Sequence, residues 1–260
     1  MPATRPDHPS GGPTGAPVPP ADGAGPWTWT LPAVPDAQLP LLVHRAQLPL
    51  AVGTVVDLSV PVATAGDRLD AVLVGGGFEL AAPTTAGVAG RVRARVVRAR
   101  TLADTVGPSM RLLVCGVNPS LYSADAGVGY ARPGIRFWPA ALAAGLVDVD
   151  RDPGAALGRG VGMTDFAKRA TRTAAEVTRQ EYADGFARVT GLVEWLAPGA
   201  VCFVGLSGWR TVVDRSATAG VQPDTVGGRP VYVMPSTSGL NARTPLAELA
   251  EHLAAAARLG

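Results

Sequence analysis

The sequence predicts an α/β fold, a three-layer sandwich with a central, mostly parallel sheet, together with a small β-rich N-terminal region. Three short apolar runs, at residues 111–117, 200–204 and 230–234, have the length and composition of buried strands. Helical patterns separate and follow them, and strands that alternate with helices form parallel sheets covered on both faces. Before residue 100 the pattern changes to short β-like runs between glycines.

The first hundred residues divide into two parts. Residues 1–36 are dominated by Pro, Gly, Ala and Thr, and such a composition buries too little apolar surface to offset chain entropy, so we predict a disordered tail. Residues 37–100 are predicted to form a small β-rich appendage. A helix has little room between Pro40 and Pro49. Strands are expected where apolar runs are bounded by glycines, at 54–62, 71–74 and 91–97.

The last of these strands carries a regular arginine pattern. Residues 91–96 have the sequence Arg-Val-Arg-Ala-Arg-Val, and because side chains alternate across a strand, the three arginines share one face. Two interpretations are open: a solvated strand face, or a surface that meets phosphate groups.

Residues 101–260 are predicted to form the main α/β domain. Besides the three buried strands, helices are expected at 137–144, 178–196 and 244–259. The last of these helices would begin with a Thr cap followed by Pro245.

Composition excludes several classes of protein. The formal net charge is only +2, and no apolar run approaches the about 20 residues of a membrane-spanning helix. We therefore expect a soluble, cytoplasmic monomer with no membrane partner. The three histidines lie far from the loops described below, and two cysteines are too few for an iron–sulfur cluster. We expect no metal and no other cofactor, and Cys115 and Cys202 should be buried free thiols.

The first candidate site follows the strand at 111–117. The chain there has the sequence Gly116-Val117-Asn118-Pro119-Ser120-Leu121, which places the amide of Asn118 where open α/β sheets bind ligands. The loop has no lysine for a phosphate-binding P-loop and no Gly-x-Ser-x-Gly nucleophile elbow. An amide is not a strong base, but it can hold a water molecule beside a cationic transition state, as in cleavage of an N-glycosidic bond. The alternative is a loop asparagine that caps its own backbone.

Two further segments accompany this loop. Tyr130 lies among small residues, where its ring could stack on a nucleic-acid base. Phe137 and Trp138 begin a helix and should be core anchors. A second loop, at 234–243, follows the last predicted strand and so occupies the equivalent place at a strand end.

Together, these segments resemble a known family. From about residue 108 onward, the chain is similar to the mismatch-specific uracil-DNA glycosylases and thymine-DNA glycosylases of the uracil-DNA glycosylase superfamily. The resemblance rests on residues 116–121, 130–138, 162–164 and 234–243, whose order and approximate spacing match the family. It implies a uracil-DNA glycosylase-like fold and a base-flipping enzyme without metal or other cofactor. The implied partner is double-stranded DNA that carries a mismatched or damaged base.

The resemblance also implies roles for individual residues. Asn118 would hold the attacking water, with help from Thr164 in a Gly-x-Thr turn. Tyr130 would stack on the flipped base, and the backbone of Gly116 and Val117 would read the pyrimidine edge. In the second loop, the implied DNA contacts are phosphate contacts by Ser236 and Ser238, a wedge in the duplex by Leu240, contacts to the opposite base by Gly239 and Asn241, and a further contact by Arg243.

Two residues depart from the family pattern. Ser120 stands where the family usually has glycine, so its side chain would crowd or polarise the floor of the substrate pocket. Asp165 stands where relatives often have an amide or a lysine. We expect Asp165 to cap a helix, the alternative being a carboxylate that assists the water.

The leading hypothesis is a monofunctional DNA glycosylase that removes uracil opposite guanine, with thymine and other damaged pyrimidines as further candidate substrates. Water would attack C1′ of the flipped nucleotide and leave an abasic site, and extrusion costs least at a mismatch. One alternative is a lesion-binding or abasic-site-binding protein with the same fold and little or no catalysis. Another is a nucleoside-processing α/β enzyme, against which the wedge role of Leu240 argues.

Overall fold

The structure, a computed structural model, describes residues 16–21 and 25–260. It contains two five-stranded sheets, one on each side of residue 100 in the chain. We call residues 25–100 the N-terminal unit and residues 101–260 the C-terminal unit. In the part of the chain that the structure describes, no helix is long and apolar enough to cross a membrane.

The N-terminal unit is a mixed sheet with helices packed on it. The sheet order is β1-β2-β5-β3, with β4 also paired to β5. Strand β1 is parallel to β2, whereas the other pairs are antiparallel. The strands are β1 Trp27–Thr30, β2 Val55–Pro61, β3 Phe78–Leu80, β4 Thr85–Ala86 and β5 Arg91–Arg98, and the helices are α1 Leu39–Gln47, α2 Val62–Ala65 and α3 Leu69–Gly75.

The structure confirms the strands predicted at 54–62 and 91–97. The prediction of disorder for residues 1–36 is wrong for residues 27–30, which form β1 beside β2. Their burial explains the difference, since the side chain of Trp29 is only 1% exposed in a core shared with α1 and α3. Residues 1–15 and 22–24 of the predicted tail lie outside the described residues.

Two predictions within the N-terminal unit are wrong, because both segments form helices. Helix α1 forms despite its prolines, since Pro40 occupies the first turn, where a missing N–H breaks no helical hydrogen bond. Residues 71–74 belong to helix α3, because a short apolar run fits a buried helix as well as a buried strand. The unit is therefore less β-rich than predicted.

Arg91 and Arg95 of β5 form polar contacts with neighbouring residues of the N-terminal unit. Arg95 forms an ion pair with Asp57 of β2, at 2.6 Å between Nε and Oδ1. Arg91 donates to the hydroxyl of Ser59 at 2.7 Å and to the carbonyl of Leu31 at 2.9 Å. These contacts favour the interpretation of a solvated strand face over that of a phosphate-binding surface.

The C-terminal unit has a central sheet with the order β7-β6-β8-β10-β9. Its first four strands are mutually parallel, and only β9 is antiparallel. The strands are β6 Leu112–Gly116, β7 Val161–Asp165, β8 Ala200–Val204, β9 Gly220–Val221 and β10 Val231–Met234, and the helices are α4 Leu121–Ala126, α5 Phe137–Ala143, α6 Pro153–Gly158, α7 Arg179–Leu196, α8 Leu206–Val212 and α9 Leu246–Ala257.

Helices cover both faces of this sheet, as the predicted three-layer sandwich requires. Alternate residues of β6 enter different cores: Leu112 and Val114 pack with α5 and α9, whereas Leu113 and Cys115 pack with α7. Every residue of β6, β7, β8 and β10 is buried, so these strands are covered on both faces, and Thr164 and Asp165 of β7 are buried polar residues. Cys115 and Cys202 are buried and free, as predicted.

Three local predictions in this unit can be compared with the structure. The helix predicted at 178–196 is confirmed as α7, which Thr178 caps because its hydroxyl accepts from the N–H of Glu181 at 3.2 Å. The predicted Thr cap of the last helix is wrong, because α9 begins after Pro245 without a side-chain cap. The predicted Gly-x-Thr turn at 162–164 is also wrong, since these residues pair with β6 as part of β7.

Candidate active site

A cavity of about 490 Å³ lies at the carboxyl ends of β6, β7 and β10, where the two predicted loops meet. Further walls come from residues 129–135, from residues 171–174 and from the start of the C-terminal unit, through Leu102, Ala103 and Thr105. Placement at parallel strand ends is the usual position of a ligand site in an open α/β sheet.

The structure brings most of the predicted site residues to this one cavity. Those that line it are Val117, Asn118, Ser120, Tyr130, Thr164, Ser236, Ser238, Leu240 and Asn241. Gly239 and Arg243 belong to the second loop without lining the cavity. Gly116 lies below it as the last residue of β6, where a Cβ would come 2.9 Å from the hydroxyl of Tyr130 and would overlap the carboxyl of Asp165. This close approach explains the glycine.

The amide of Asn118 is held in one orientation. The two N–H bonds of its Nδ2 are shared among three acceptors: the carbonyls of Pro119 at 3.2 Å and Arg169 at 3.0 Å, and the hydroxyl of Thr171 at 2.7 Å. Thr171 in turn donates to the carbonyl of Thr173 at 2.7 Å, so its oxygen is the acceptor here. Because all three partners accept, the nitrogen must face them. The Oδ1 atom has no donor among the described residues, and it is the atom available to a ligand or water at the cavity.

Asp165 lies at the end of β7, opposite Gly116 in the register of β6 and β7. Its side chain lines the cavity, is 7% exposed as a residue, and has no hydrogen-bond partner within residues 16–21 and 25–260. Burial raises its pKa to about 6, opposed by the charges of Lys168 and Arg188. The prediction of a helix cap is wrong, because β7 extends through this residue and no helix begins there.

Tyr130 is fixed in the wall of the cavity by its neighbours. Its backbone has φ +57°, and its ring stacks on that of Phe137 with centroids 4.2 Å apart and planes 18° apart. Its hydroxyl is buried without a partner among the described residues, and burial, followed by the charge of Asp165, raises its pKa well above the usual range. Phe137 and Trp138 are core residues, as predicted. Stacking of Tyr130 on a base stays a prediction.

Two predicted residues have hydroxyls that are already engaged. Thr164 donates to Oδ1 of Asp104 at 2.7 Å and accepts from Arg188 at 3.0 Å, so its proton is directed away from a bound water. Ser120 caps α4, since its Oγ accepts from the backbone N–H of Ser123 at 3.1 Å. The water-holding role of Thr164 and the substrate-binding role of Ser120 stay predictions.

The second loop is held by hydrogen bonds of its own and from Arg136, and its Leu240 is exposed. Asn241 donates to the carbonyl of Ser236 at 2.8 Å, and Arg136 donates to the carbonyls of Thr244, at 2.6 Å, and Asn241. The side chain of Leu240 is 96% exposed. Leu240 therefore does not fold back onto the core.

Two arginines outside the predicted site residues also line the cavity. Arg132 and Arg172 are exposed, and neither has an ion pair or hydrogen bond with any described residue. The neighbouring Arg100 and Arg169 are instead paired with Asp125 and Glu181. Arg132 could have been found from its place beside Tyr130. Arg172 and Thr171 could not, because only the folded chain brings residue 171 to Asn118.

A family model matches most of the C-terminal unit. A model of the family described as the uracil DNA glycosylase superfamily matches residues 103–258, which include every candidate site residue. Among solved structures, the solution NMR structure of a candidate uracil DNA glycosylase from Methanosarcina acetivorans is 22% identical over 62% of this chain and 97% of that chain, with a TM-score of 0.44.

Proposed function

We propose that this chain, which belongs to the uracil DNA glycosylase superfamily, is a monofunctional DNA glycosylase that flips uracil out of G·U mismatches and removes it. Thymine in G·T mismatches and other damaged pyrimidines are further candidate substrates. The main support for this proposal is the fixed orientation of the Asn118 amide. Its Oδ1 is an acceptor without a partner among the described residues, and it is available to a cavity at the strand ends. Removal of the base would leave an abasic site and begin base excision repair.

The polar groups of the cavity suit a water attack on a cationic sugar. Asn118 would accept a hydrogen bond from the water through Oδ1, and the carboxylate of Asp165, which lines the same cavity, would take the proton that the water loses. The bond from C1′ to the water oxygen forms as the bond from C1′ to the base nitrogen breaks. The base leaves with that electron pair, stabilised by backbone N–H groups, and takes a proton from solvent.

The mouth of the cavity suits a flipped nucleotide in a duplex. Arg132 and Arg172 offer two unpaired cations to the phosphates on either side of it. The hydroxyls of Ser236 and Ser238 accept from loop N–H groups at 3.2 and 3.3 Å, which leaves their protons free to donate to phosphate oxygens. Leu240, exposed at the tip of the second loop, is an apolar wedge for the gap in the base stack.

Base release from a labelled duplex with one G·U pair tests this proposal. Under single-turnover conditions the full-length chain should leave abasic sites that alkali converts to strand breaks. Asn118→Ala should bind the duplex with unchanged affinity but release uracil about 100-fold more slowly or worse, the usual scale for losing a group that assists proton transfer. Undiminished release by Asn118→Ala would overturn the role given to the amide.

The same assay decides between the proposal and a lesion-binding protein. Two features motivate that alternative: Ser120, whose side chain caps α4, and the N-terminal region, which the family resemblance does not cover. Tight binding of the G·U duplex without any release by the wild-type chain, across a panel that includes G·T, would establish it. A matched panel of undamaged duplexes controls for binding through general charge alone.

A further inference from the structure

A buried charge cluster lies directly beside the candidate active site and joins it to the N-terminal unit. At its centre is Asp104, which is only 4% exposed. Its carboxylate accepts from the hydroxyl of Thr164, from Nζ of Lys168 and from the guanidinium of Arg188, each at 2.7 Å. Lys168 is the only lysine of the chain. The carboxylate of Asp104 is therefore saturated by two cations and one hydroxyl.

The backbone of Asp104 is held by the N-terminal unit. Its N–H donates to the carbonyl of Gly75 at 2.7 Å, and its carbonyl accepts from Nδ1 of His44 at 2.9 Å. Gly75 packs so closely that a Cβ there would lie 2.5 Å from Oδ2 of Asp104 and 3.2 Å from Arg188. A helix of the N-terminal unit thus fixes the position of a carboxylate whose partners belong to the C-terminal unit.

The cluster determines which charges reach Asp165. Thr164 and Asp165 are consecutive residues of β7, and Lys168 follows three residues later. Lys168 and Arg188 are the two cations whose charges act on Asp165, yet neither hydrogen-bonds its carboxyl. Arg188 instead donates to the backbone carbonyl of Asp165 at 2.7 Å. Two buried cations therefore lie near an unpaired carboxylate and are bound to a different one.

We propose that Asp104 is a positioning residue that holds Lys168 and Arg188 away from Asp165, and that the N-terminal unit keeps Asp104 in place. Asp165 then remains an unpaired proton acceptor at the cavity. This role rests on the proposed function only in the step that Asp165 performs. The arrangement of the charges can be tested without catalysis.

The charged groups around Asp165 predict opposite effects of two substitutions. Burial raises the pKa of Asp165, the charge of Asp104 raises it further, and the charges of Lys168 and Arg188 lower it. The remaining titratable neighbours, Tyr130 and Cys115, are neutral, since burial raises both of their pKa values. Asp104→Asn should therefore lower the pKa of Asp165, because a negative charge is lost and two cations are released. Lys168→Met should raise it.

Carbon-13 NMR titration of side-chain carboxyls in the full-length chain measures this pKa directly. We expect the Asp165 titration to move down by about one unit or more in Asp104→Asn and up in Lys168→Met. A purely structural role for the cluster would move both variants in the same direction or neither, and either result would overturn the proposal. Where Asp104→Asn does not fold, Lys168→Met and the next pair of variants decide the question.

Two glycine substitutions test the part played by the N-terminal unit. Gly75→Ala would place a methyl group against Asp104 and should displace its carboxylate, which lowers the pKa of Asp165 by less than Asp104→Asn does. Gly191→Ala is the matched control, because a Cβ on that side of α7 meets no atom within 4 Å. An unchanged Asp165 titration in Gly75→Ala would overturn this part of the proposal. These outcomes hold whether or not wild-type protein releases uracil, so the two proposals fail separately.

Discussion

Two adjoining regions at the end of β7 each contain a buried carboxylate, and the two carboxylates differ in their hydrogen bonding. In the charge cluster, Asp104 has three hydrogen-bond donors on its carboxylate. At the cavity, Asp165 is buried to a similar degree and has no donor among the described residues. A saturated carboxylate contributes to the fold, whereas an unpaired one opposes it and is available for chemistry.

The contrast predicts stability changes of opposite sign. Asp104→Asn leaves two buried cations without their partner and should lower the free energy of unfolding by up to about 3–5 kcal/mol. Asp165→Asn removes a carboxyl whose pKa rises on folding from 3.8 to about 6, a shift that opposes folding by about 3 kcal/mol at neutral pH. Because the new amide must still be desolvated, we expect a net gain of about 1–2 kcal/mol.

Denaturant unfolding at two pH values measures the free energy of unfolding of Asp104→Asn and Asp165→Asn. The penalty from Asp165 is absent below the ordinary pKa of 3.8 and complete above about 6. The gain from Asp165→Asn should therefore be present at pH 7 and vanish as the pH falls toward 4. Destabilisation of similar size by both substitutions would contradict the contrast between the two regions.

The same substitution should be costly for activity. If Asp165 takes the proton of the water, base release by the wild-type chain should rise with pH through about 6 and then level off. Asp165→Asn should lower the single-turnover rate about 100-fold on that plateau and remove the pH dependence below it. Duplex affinity at the plateau pH is the control. If the rate of Asp165→Asn still rises with pH near 6, a group other than Asp165 causes that rise.

A smaller loss of base-release rate is expected when the amide of Asn118 is held less firmly. Thr171→Val removes one of the three partners that orient the amide of Asn118 and should slow base release about tenfold without changing duplex affinity, because reacting groups lose alignment. Thr211→Val is the matched control, since within the described residues its hydroxyl bonds only the carbonyl of Ser207 on α8. Equal effects of the two substitutions would mean that the amide is held by the backbone acceptors alone.

The sequence predicts these regions unequally, for physical reasons. Strands β6, β8 and β10 and helix α7 follow from local periodicity, because burial of a strand or of one helix face leaves a regular pattern. The end of β7 depends on pairing with β6, so Asp165 was wrongly predicted to be a cap. In the site, loop residues such as Asn118 and Leu240 are recognisable from local motifs. Hydrogen-bond partners within the site leave no local pattern, because Asp104 lies 60 residues from Thr164 and Thr171 lies 53 residues from Asn118.

The smallest expected effect concerns the cations at the mouth of the cavity. Arg132 and Arg172 lie there without an ion-pair partner in the described part of the chain, in contrast to the neutralised cations of the charge cluster. If each contacts one phosphate, its replacement by alanine should reduce the slope of log affinity against log salt by about one and weaken binding to matched and mismatched duplexes alike. Fluorescence anisotropy over a salt series measures this.

Arg215 supplies the control, because it is also exposed and without a partner in the described structure but does not line the cavity. Arg215→Ala should leave the salt slope unchanged, whereas Arg132→Ala and Arg172→Ala should each lower it. If all three substitutions reduce the slope equally, DNA is attracted by overall charge and not by cations placed at the cavity. If the double variant Arg132→Ala, Arg172→Ala lowers the slope by twice the single value, the two side chains contact separate phosphates, and the DNA backbone passes both sides of the site.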